Sequence, residues 1–346
     1  MPYSNLDGST RFIMNSLFSL PQLSLTLVRG LRKNCLRGLV LLTLVVQSGV
    51  TVAETSRIAV ISDINGRYGS TDYHPRLANA ISRIIELKPN LVISTGDMVA
   101  GQRPSPKLTR AELDEMWQRF HQDIRTPLEE AGIPVLMTPG NHDASGYPGY
   151  ELERDTYTDY HLNHPPTIRP LPGGNFPYHF ATAYAGMLLV SLDATRIGAL
   201  EPAQLNWLSR TLQRERNGPT ILFGHLPLQA VSQGRENDII TDPELEALLV
   251  STGISAYLSG HHHAWYPGLR LDTPMLSMGN LGGNQRGLLG TGLKTGFSFA
   301  LLELDEAGIR SIKAYKGPEF KQVIDNQSLP GRLASGLQRL DTPVAE

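Results

Sequence analysis

Short apolar runs alternate with helical stretches from residue 57 onward, and this alternation constrains the fold more than any other feature of the chain. Five runs rich in Ile, Val and Leu have the length of buried strands. They lie at 58–62, 91–94, 133–137, 220–223 and 254–258. Helical spacing follows at 77–87, 109–131 and 202–214, and Thr109 with Glu112 forms a capping box at the start of the second helix. The pattern predicts an α/β fold.

Each of these five runs ends in polar residues that can bind metal ions. They are Asp63, Asp97, Asn141, His225, and His261 with His263. Because ligands collect at the carboxyl ends of strands in open α/β sheets, we expect these side chains to converge. His261 and His263 are two residues apart, so in an extended chain they face one side while His262 faces the other. Carboxylate, amide and imidazole ligands without cysteine suit Mn, Fe or Zn ions.

Four short motifs, in this order, resemble those of the calcineurin-like metallophosphoesterase superfamily. They are Gly96-Asp97, Gly140-Asn141-His142-Asp143, Gly224-His225 and Gly260-His261-His262-His263. The similarity covers about residues 57–317, and the segment 192–208 resembles the purple acid phosphatase and cyclic-nucleotide phosphodiesterase branches. The resemblance implies a four-layer α/β/β/α sandwich with two central mixed sheets.

The same resemblance implies a pair of divalent or trivalent metal ions, of Mn, Fe or Zn, with Asp97 as their bridge. The further implied ligands are Asn141, His225 and His261 for one ion, and Asp63 and His263 for the other. The resemblance also implies that His142 contacts phosphate and protonates the leaving group, while Asp143 orients the His142 imidazole. The implied reaction is hydrolysis of a small-molecule phosphate ester by a hydroxide that bridges the ions. The sequence does not separate phosphomonoesters from phosphodiesters.

The first motif departs from the family pattern, because Asp63-Ile64-Asn65 stands where Asp-x-His is usual. An amide oxygen of Asn65 can coordinate a metal, but it is a poorer donor than imidazole towards borderline ions. Alternatively, Asn65 only opens a turn with Gly66. The departure also keeps open a second function, in which a non-catalytic or mononuclear member of the same fold acts as a binding protein. Ala100 replaces the metal-binding tyrosine of the purple branch, so its charge-transfer iron site is not expected.

Loops at 101–108, 144–177 and 282–296 are expected to border the site, and 144–177 should be long and irregular because it is rich in Tyr, His, Pro and Gly. Three loop arginines near the motifs are candidates for bidentate contact with a substrate phosphate. They are Arg67, Arg103 and Arg286. The alternative interpretation for any single one of them is a solvated surface arginine, which is the more common case.

The N-terminal segment has the layout of a secretory signal, since basic residues precede an apolar run at 39–46 and small residues follow to 53. We therefore expect a signal peptide or uncleaved membrane segment at 1–53, a catalytic domain at 54–317 and a C-terminal tail at 318–346. The protein would then be periplasmic or secreted, or else anchored to the membrane. Without residues 1–53 the net charge changes from −2 to −6, so nucleic acid is not an expected partner. The sequence indicates no oligomeric state.

Overall fold

The computed structural model describes residues 55–214 and 218–341, and two β-sheets lie at its centre. The strands are β1 (Ser56–Ile61), β2 (Leu91–Ser94), β3 (Val135–Met137), β4 (Phe180–Tyr184), β5 (Met187–Ser191), β6 (Thr220–Phe223), β7 (Ala256–Ser259), β8 (Tyr266–Arg270), β9 (Thr273–Ser277), β10 (Ser298–Asp305), β11 (Gly308–Lys316), β12 (Gln322–Val323) and β13 (Gln338–Arg339). All of these residues belong to one compact unit, Val52–Glu346.

Both sheets are mixed. The first has the order β12-β11-β10-β1-β2-β3, and the second has the order β13-β8-β9-β7-β6-β5-β4. β1, β2 and β3 run parallel, as do β5, β6, β7 and β9. The other pairs, such as β1 with β10 and β8 with β9, are antiparallel. The parallel strands of each sheet therefore end at a common edge, where the site is built.

The helices form the outer layers. They are α1 (Arg76–Leu87), α2 (Arg110–Phe120), a π-helix (His121–Arg125), α3 (Thr126–Glu130), α4 (Asn141–Ala144), α5 (Glu151–Asn163), α6 (Pro202–Leu212) and α7 (Pro243–Thr252), with a 3-10 turn at Asn326–Ser328. The predicted helix at 109–131 is thus α2, the π-helix and α3 in succession. Its predicted capping box is confirmed, because the Thr109 side chain accepts from Glu112 N and the Glu112 carboxylate accepts from Thr109 N.

Alternate residues of β1 show how the layers pack. Ile58 and Val60 lie in the core shared with the second sheet, whereas Ala59 and Ile61 lie in the core beneath α1 and α2. The second sheet is covered by α6 and α7, whose buried leucines join the first of these cores. The four-layer α/β/β/α sandwich is confirmed.

The prediction of a long irregular loop at 144–177 is wrong in part, because α5 occupies Glu151–Asn163. Its buried face is aromatic rather than aliphatic: the rings of Tyr157 and Tyr160 lie 5.5 and 4.6 Å from that of Trp117. A search for aliphatic residues at helical spacing therefore misses this helix.

The ends of the chain bear on the predicted domain division. Residues 318–341 add an edge strand to each sheet, since β12 pairs with β11 and β13 with β8, and both Phe320 and Leu337 are buried. The expected signal or membrane segment at 1–53 lies outside the described residues. Within 55–214 and 218–341, no helix is long and apolar enough to cross a membrane. The boundaries at 53 and 317 stay predictions.

Candidate metal centre

The loops that follow β1, β2, β3, β6 and β7 meet where the two sheets adjoin. Backbone hydrogen bonds join neighbouring loops: Asp63 N donates to Gly96 O at 3.0 Å, and Gly260 N donates to His225 O at 2.9 Å. One link crosses between the sheets, because His261 N donates to the Asp63 carboxylate at 3.1 and 3.2 Å. Strand-end residues that are far apart in the sequence are thereby held in one place.

Four of the predicted ligands have a left-handed backbone conformation, which is costly for residues other than glycine. Their φ angles are 48° at Asp63, 59° at Asp97, 62° at His261 and 49° at His263. The prediction that an extended chain presents His261 and His263 on one face is therefore wrong in its reason, since β7 ends at Ser259. Strained backbone of this kind concentrates at functional sites, where surrounding contacts maintain it.

Two motif glycines are required because other groups occupy the space of a side chain. A Cβ at Gly140 would lie 2.2 Å from both the amide nitrogen and the Oδ1 atom of Asp97. A Cβ at Gly260 would lie 2.1 Å from Ser62 Oγ and 2.7 Å from Asp63 Oδ2. The glycines therefore let neighbouring loops approach the two carboxylates closely.

A buried cluster of carboxylates and imidazoles lies at the centre of these loops. Candidate ligand atoms of Asp63, Asp97 and His225 all lie within 4.8 Å of one another. His225 Nε2 is 3.3 Å from Asp97 Oδ2, and His263 Nε2 is 3.2 Å from Asp63 Oδ1. The described residues thus contain a donor set of the kind that binds borderline divalent ions.

Backbone carbonyl oxygens fix the tautomers of two imidazoles. His225 Nδ1 donates to Thr95 O at 2.9 Å, and His263 Nδ1 donates to Asn284 O at 2.8 Å. With one proton on Nδ1, each Nε2 is the atom that would present a lone pair to a cation lying between the imidazole and the carboxylates. This is the usual arrangement of a histidine that ligates a metal.

His261 presents its other nitrogen to the cluster. Its Nδ1 atom lies 3.2 Å from His225 Nε2, while its Nε2 atom lies 3.6 Å from Asp238 Oδ2. Burial lowers the pKa of His261 to about 4 despite Asp238. Two ring nitrogens can approach so closely when a proton or a cation lies between them. Sequence reasoning missed Asp238, which follows β6 in an irregular loop with no motif.

Asn141 supplies the sharpest test of whether a metal fits. Its side chain is buried, and its amide nitrogen donates to Gln102 Oε1 at 2.7 Å. The amide oxygen is buried and has no hydrogen-bond partner within the described residues. A buried acceptor left without a partner is costly, and a cation would satisfy it. The residues present therefore fit a metal site.

Carboxylates and imidazoles of the cluster shift each other's pKa. Burial alone would raise the pKa of Asp97, but His225 and His142 lower it below the ordinary value. Burial disfavours protonated His225, yet the Asp97 carboxylate raises the pKa of His225 to about 9. Despite burial, the pair of Asp63 and His263 behaves in the same way: the pKa of Asp63 is lowered and that of His263 raised. Protonated imidazoles here supply the positive charge that bound cations would supply instead.

His142 and Asp143 lie beside the cluster, but the Asp143 carboxylate does not hydrogen-bond the His142 imidazole as the resemblance implied. His142 Nδ1 donates to Gly101 O at 2.8 Å, and its Nε2 lies 3.8 Å from Asp97 Oδ2. The Asp143 carboxylate instead accepts four backbone N–H groups, from 97, 98, 99 and 140, at 2.7–2.9 Å. Burial and the charge of Asp97 raise the pKa of Asp143, and these N–H groups oppose the rise. Asp143 therefore shapes the loop that carries Asp97.

Asn65 lines the cleft in front of the cluster and is 5% exposed. Its backbone is fully engaged, since Asn65 N donates to Asp97 O and Asn65 O accepts from Gly283 N. Its side chain makes no hydrogen bond to any described residue. Ligation by Asn65 stays a prediction. Of the three candidate arginines, Arg67 and Arg286 line this cleft, whereas Arg103 pairs with Glu112 outside it.

Glu153 of α5 supports the site from behind and was missed because its helix was missed. Its carboxylate accepts from Gln102 N at 3.0 Å, and the Gln102 side chain in turn accepts from the Asn141 amide. Burial raises the pKa of Glu153 to about 7. The loop that carries Gly101 and Gln102, and with it the orientation of His142 and Asn141, therefore rests on α5.

The fold and the donor set of the site have the features of a metal-dependent phosphoesterase. The family model for calcineurin-like phosphoesterases matches residues 56–265, so the chain belongs to this family. The family is typically dependent on two metal ions. A comparison with curated protein sequences finds no match.

Solved structures of similar fold include purple acid phosphatase PPD1 from yellow lupin (Lupinus luteus), at 18% identity and a TM-score of 0.57 over 79% of this chain and 53% of that chain. This chain thus spans about half the length of the lupin enzyme. GAP50, described as the anchor in the inner membrane complex of Plasmodium, is 17% identical with a TM-score of 0.53, over 79% of this chain and 92% of that chain. At these identities the likeness shows the shared fold.

Replacing the central carboxylate should weaken metal binding throughout the site. We expect Asp97→Asn to lower Mn²⁺ affinity by about 100-fold or more, because a direct ligand contributes more than the supporting groups whose loss costs about 10–100-fold. Isothermal titration of metal-free protein measures this. Asp193→Asn is the matched control, since Asp193 also follows a strand but pairs with Arg154. Unchanged stoichiometry and affinity in Asp97→Asn would contradict the assignment.

Glu153 should make stability depend on pH. Because its pKa is raised in the folded state, its contribution is fully present below its ordinary pKa and is lost as the pH rises through about 7. Glu153→Gln removes this loss, so the variant should gain stability relative to wild type between about pH 5 and about pH 8. Urea unfolding at both pH values measures the difference, with exposed Glu115→Gln as control. A constant difference between Glu153→Gln and wild type would show that Glu153 does not titrate in this range.

Proposed function

We propose that the protein hydrolyses small-molecule phosphate esters with two metal ions bound at this centre, by direct attack of water on phosphorus and without a covalent phosphoenzyme. The convergence of Asp63, Asp97, His225, His261 and His263 on one buried point carries the proposal. When bound, Mn, Fe or Zn ions would activate water and draw charge from the phosphoryl oxygens.

We assign the metal ligands from the nitrogen and oxygen atoms whose lone pairs would point to the same position. Asp97 has a carboxylate oxygen within 4.8 Å of ligand atoms of both Asp63 and His225, so it would be the residue that two ions share. His225 Nε2, His261 Nδ1 and the Asn141 amide oxygen would hold one ion. Asp63 and His263 Nε2 would hold the other, with Asn65 as a further oxygen ligand.

His142 is placed to donate a proton to the leaving group. Its Nδ1 proton is committed to Gly101 O, so Nε2 is the atom that exchanges a proton at the cleft. The ring lines the cleft, and Tyr68 covers one side of it with ring centroids 5.1 Å apart. When protonated at Nε2, His142 can donate that proton to the departing alkoxide oxygen.

Two arginines flank the proposed position of the reacting phosphoryl group. Arg235 pairs with Asp238, the partner of His261, and Arg286 N donates to His263 O at 3.4 Å. Both side chains line the cleft. Guanidinium groups so placed would neutralise charge on the phosphoryl oxygens as the transition state forms.

A binding role without catalysis is the alternative, and one neighbour of similar fold is described as an anchor. A shared fold does not decide between these functions. The presence of His142 beside the cluster favours catalysis, because a purely structural metal site has no need of a proton donor.

Removing the proposed proton donor tests the mechanism. We expect His142→Ala to retain metal but to lose about 10²–10⁴-fold in kcat for an alkyl phosphate, the usual contribution of a general acid. Phosphate release and metal content are measured on the same preparation, with His121→Ala in the π-helix as control. A parallel fall in metal content would identify His142 as a ligand instead. No turnover by wild type with Mn²⁺ or Zn²⁺ on mono-, di- and pyrophosphate esters would favour the binding role.

We also propose export, on the basis of the basic and apolar segments that precede residue 54. Periplasmic or secreted protein should begin near Glu54, whereas an uncleaved segment would keep the protein at the membrane. Mass spectrometry of the N-terminal peptide of natively expressed protein distinguishes these outcomes. Peptides from 30–50 in the purified protein would contradict cleavage.

A further inference from the structure

The cleft in front of the metal centre is larger and more cationic than one phosphoryl group requires. Its volume is about 810 Å³, which is in the range of sites that enclose ligands of drug size. Four arginines line it: Arg67, Arg76, Arg235 and Arg286. Asp97, a proposed metal ligand, is the single carboxylate among its described lining residues. The excess positive charge calls for an anionic ligand.

Three of the four arginines that line this cleft have no carboxylate partner among the described residues. Most arginines in the described ranges pair with Asp or Glu, as Arg235 does with Asp238. Within those ranges Arg67, Arg76 and Arg286 form no ion pair, and Arg286 Nε is buried without a hydrogen-bond partner. Guanidinium groups that gather around a catalytic centre without counter-charges are available to a ligand.

These arginines form two groups. Arg235 and Arg286 adjoin the proposed metal ligands: Arg235 pairs with the partner of His261, and Arg286 follows the loop that contacts His263. Arg67 and Arg76 make no hydrogen bond or ion pair to a proposed metal ligand among the described residues, and they lie in the connection from β1 to α1 and at the first position of α1. We call Arg67 and Arg76 the distal pair. Arg235 and Arg286, which we call the proximal pair, have the reacting phosphoryl group as their proposed partner, so the distal pair is available to another anionic group.

Arg76 is held in place as an anion-binding group would be. Its guanidinium carbon lies 3.5 Å from the centroid of the Phe297 ring, and its Nε donates to Leu281 O at 3.0 Å. Both contacts fix the plane of the guanidinium, and its Nη groups have no partner among described residues. A pre-positioned arginine loses little conformational entropy when it binds an anion.

We propose that the substrate carries a second anionic group, a phosphate or a carboxylate, which the distal pair binds while the ester group lies at the metal centre. The position of the ester rests on the proposed function. The second anion site is a property of binding and can be tested without turnover.

Non-hydrolysable ligands test the proposal directly. Isothermal titration of the Mn²⁺-loaded full chain would compare alkane-α,ω-bisphosphonates, from ethane to hexane, with the alkyl monophosphonate of each length. At one or two matching lengths, we expect the bisphosphonate to bind about 10-fold more tightly or better, because a charge-assisted contact to arginine is formed. The same series with an ω-carboxylate in place of the second phosphonate identifies which anion is preferred.

Substitution of the distal pair should abolish this gain. Arg67→Met, Arg76→Met and the double variant should bind bisphosphonates and monophosphonates almost equally, with monophosphonate affinity close to that of wild type. Arg83→Met is the matched control, because Arg83 also lies on α1 above an aromatic ring, that of Tyr315, but outside the cleft. The control should keep the gain.

Two results would overturn the proposal. One is a gain that is absent at every chain length, and the other is a gain that survives in the Arg67→Met, Arg76→Met double variant. A length-dependent gain in a protein that hydrolyses no phosphate ester would support the second anion site and refute the proposed function. The two proposals therefore fail separately.

Discussion

The site depends on one carboxylate, that of Asp143, which is not itself a proposed metal ligand. Asp143 accepts N–H groups from residues 97, 98, 99 and 140, so a single buried side chain ties the loop after β2 to the loop after β3. These hydrogen bonds stabilise the left-handed backbone at Asp97, which alone would be unfavourable. They also bring Gly140 against Asp97 and place His142 N within 3.0 Å of its Oδ1. The positions of Asp97, the proposed bridge, and of His142, the proposed proton donor, therefore follow from Asp143.

Much of this arrangement could be predicted from the sequence, because apolar runs indicate the strands and parallel strands end at a common edge. The convergence of Asp63, Asp97 and His225 follows from that topology. What could not be predicted depends on contacts between segments without local patterns. Asp238 lies in an irregular loop, and Glu153 lies on a helix whose buried face is aromatic. The hydrogen-bond partner of His142 is a backbone oxygen, which no motif encodes.

Negative and positive side chains occupy different parts of the metal centre and its cleft. Carboxylates form the floor, where imidazoles hold the compensating protons and cations would replace them. Four arginines line the cleft, and three of them have no carboxylate partner among the described residues. Most arginines elsewhere in the described ranges are paired with carboxylates. The positive charge of the four arginines favours anionic ligands in the cleft.

The proposed function requires Asp97 to lie between two metal ions. Anomalous diffraction from crystals soaked in Mn²⁺ would test it most directly. We expect two peaks about 3.5–4 Å apart on either side of the Asp97 carboxylate. The peak beside Asp63 and His263 should be the weaker, because Asn65 replaces a better donor there. A single peak that Asp97 does not contact, or peaks only at surface carboxylates, would contradict the account.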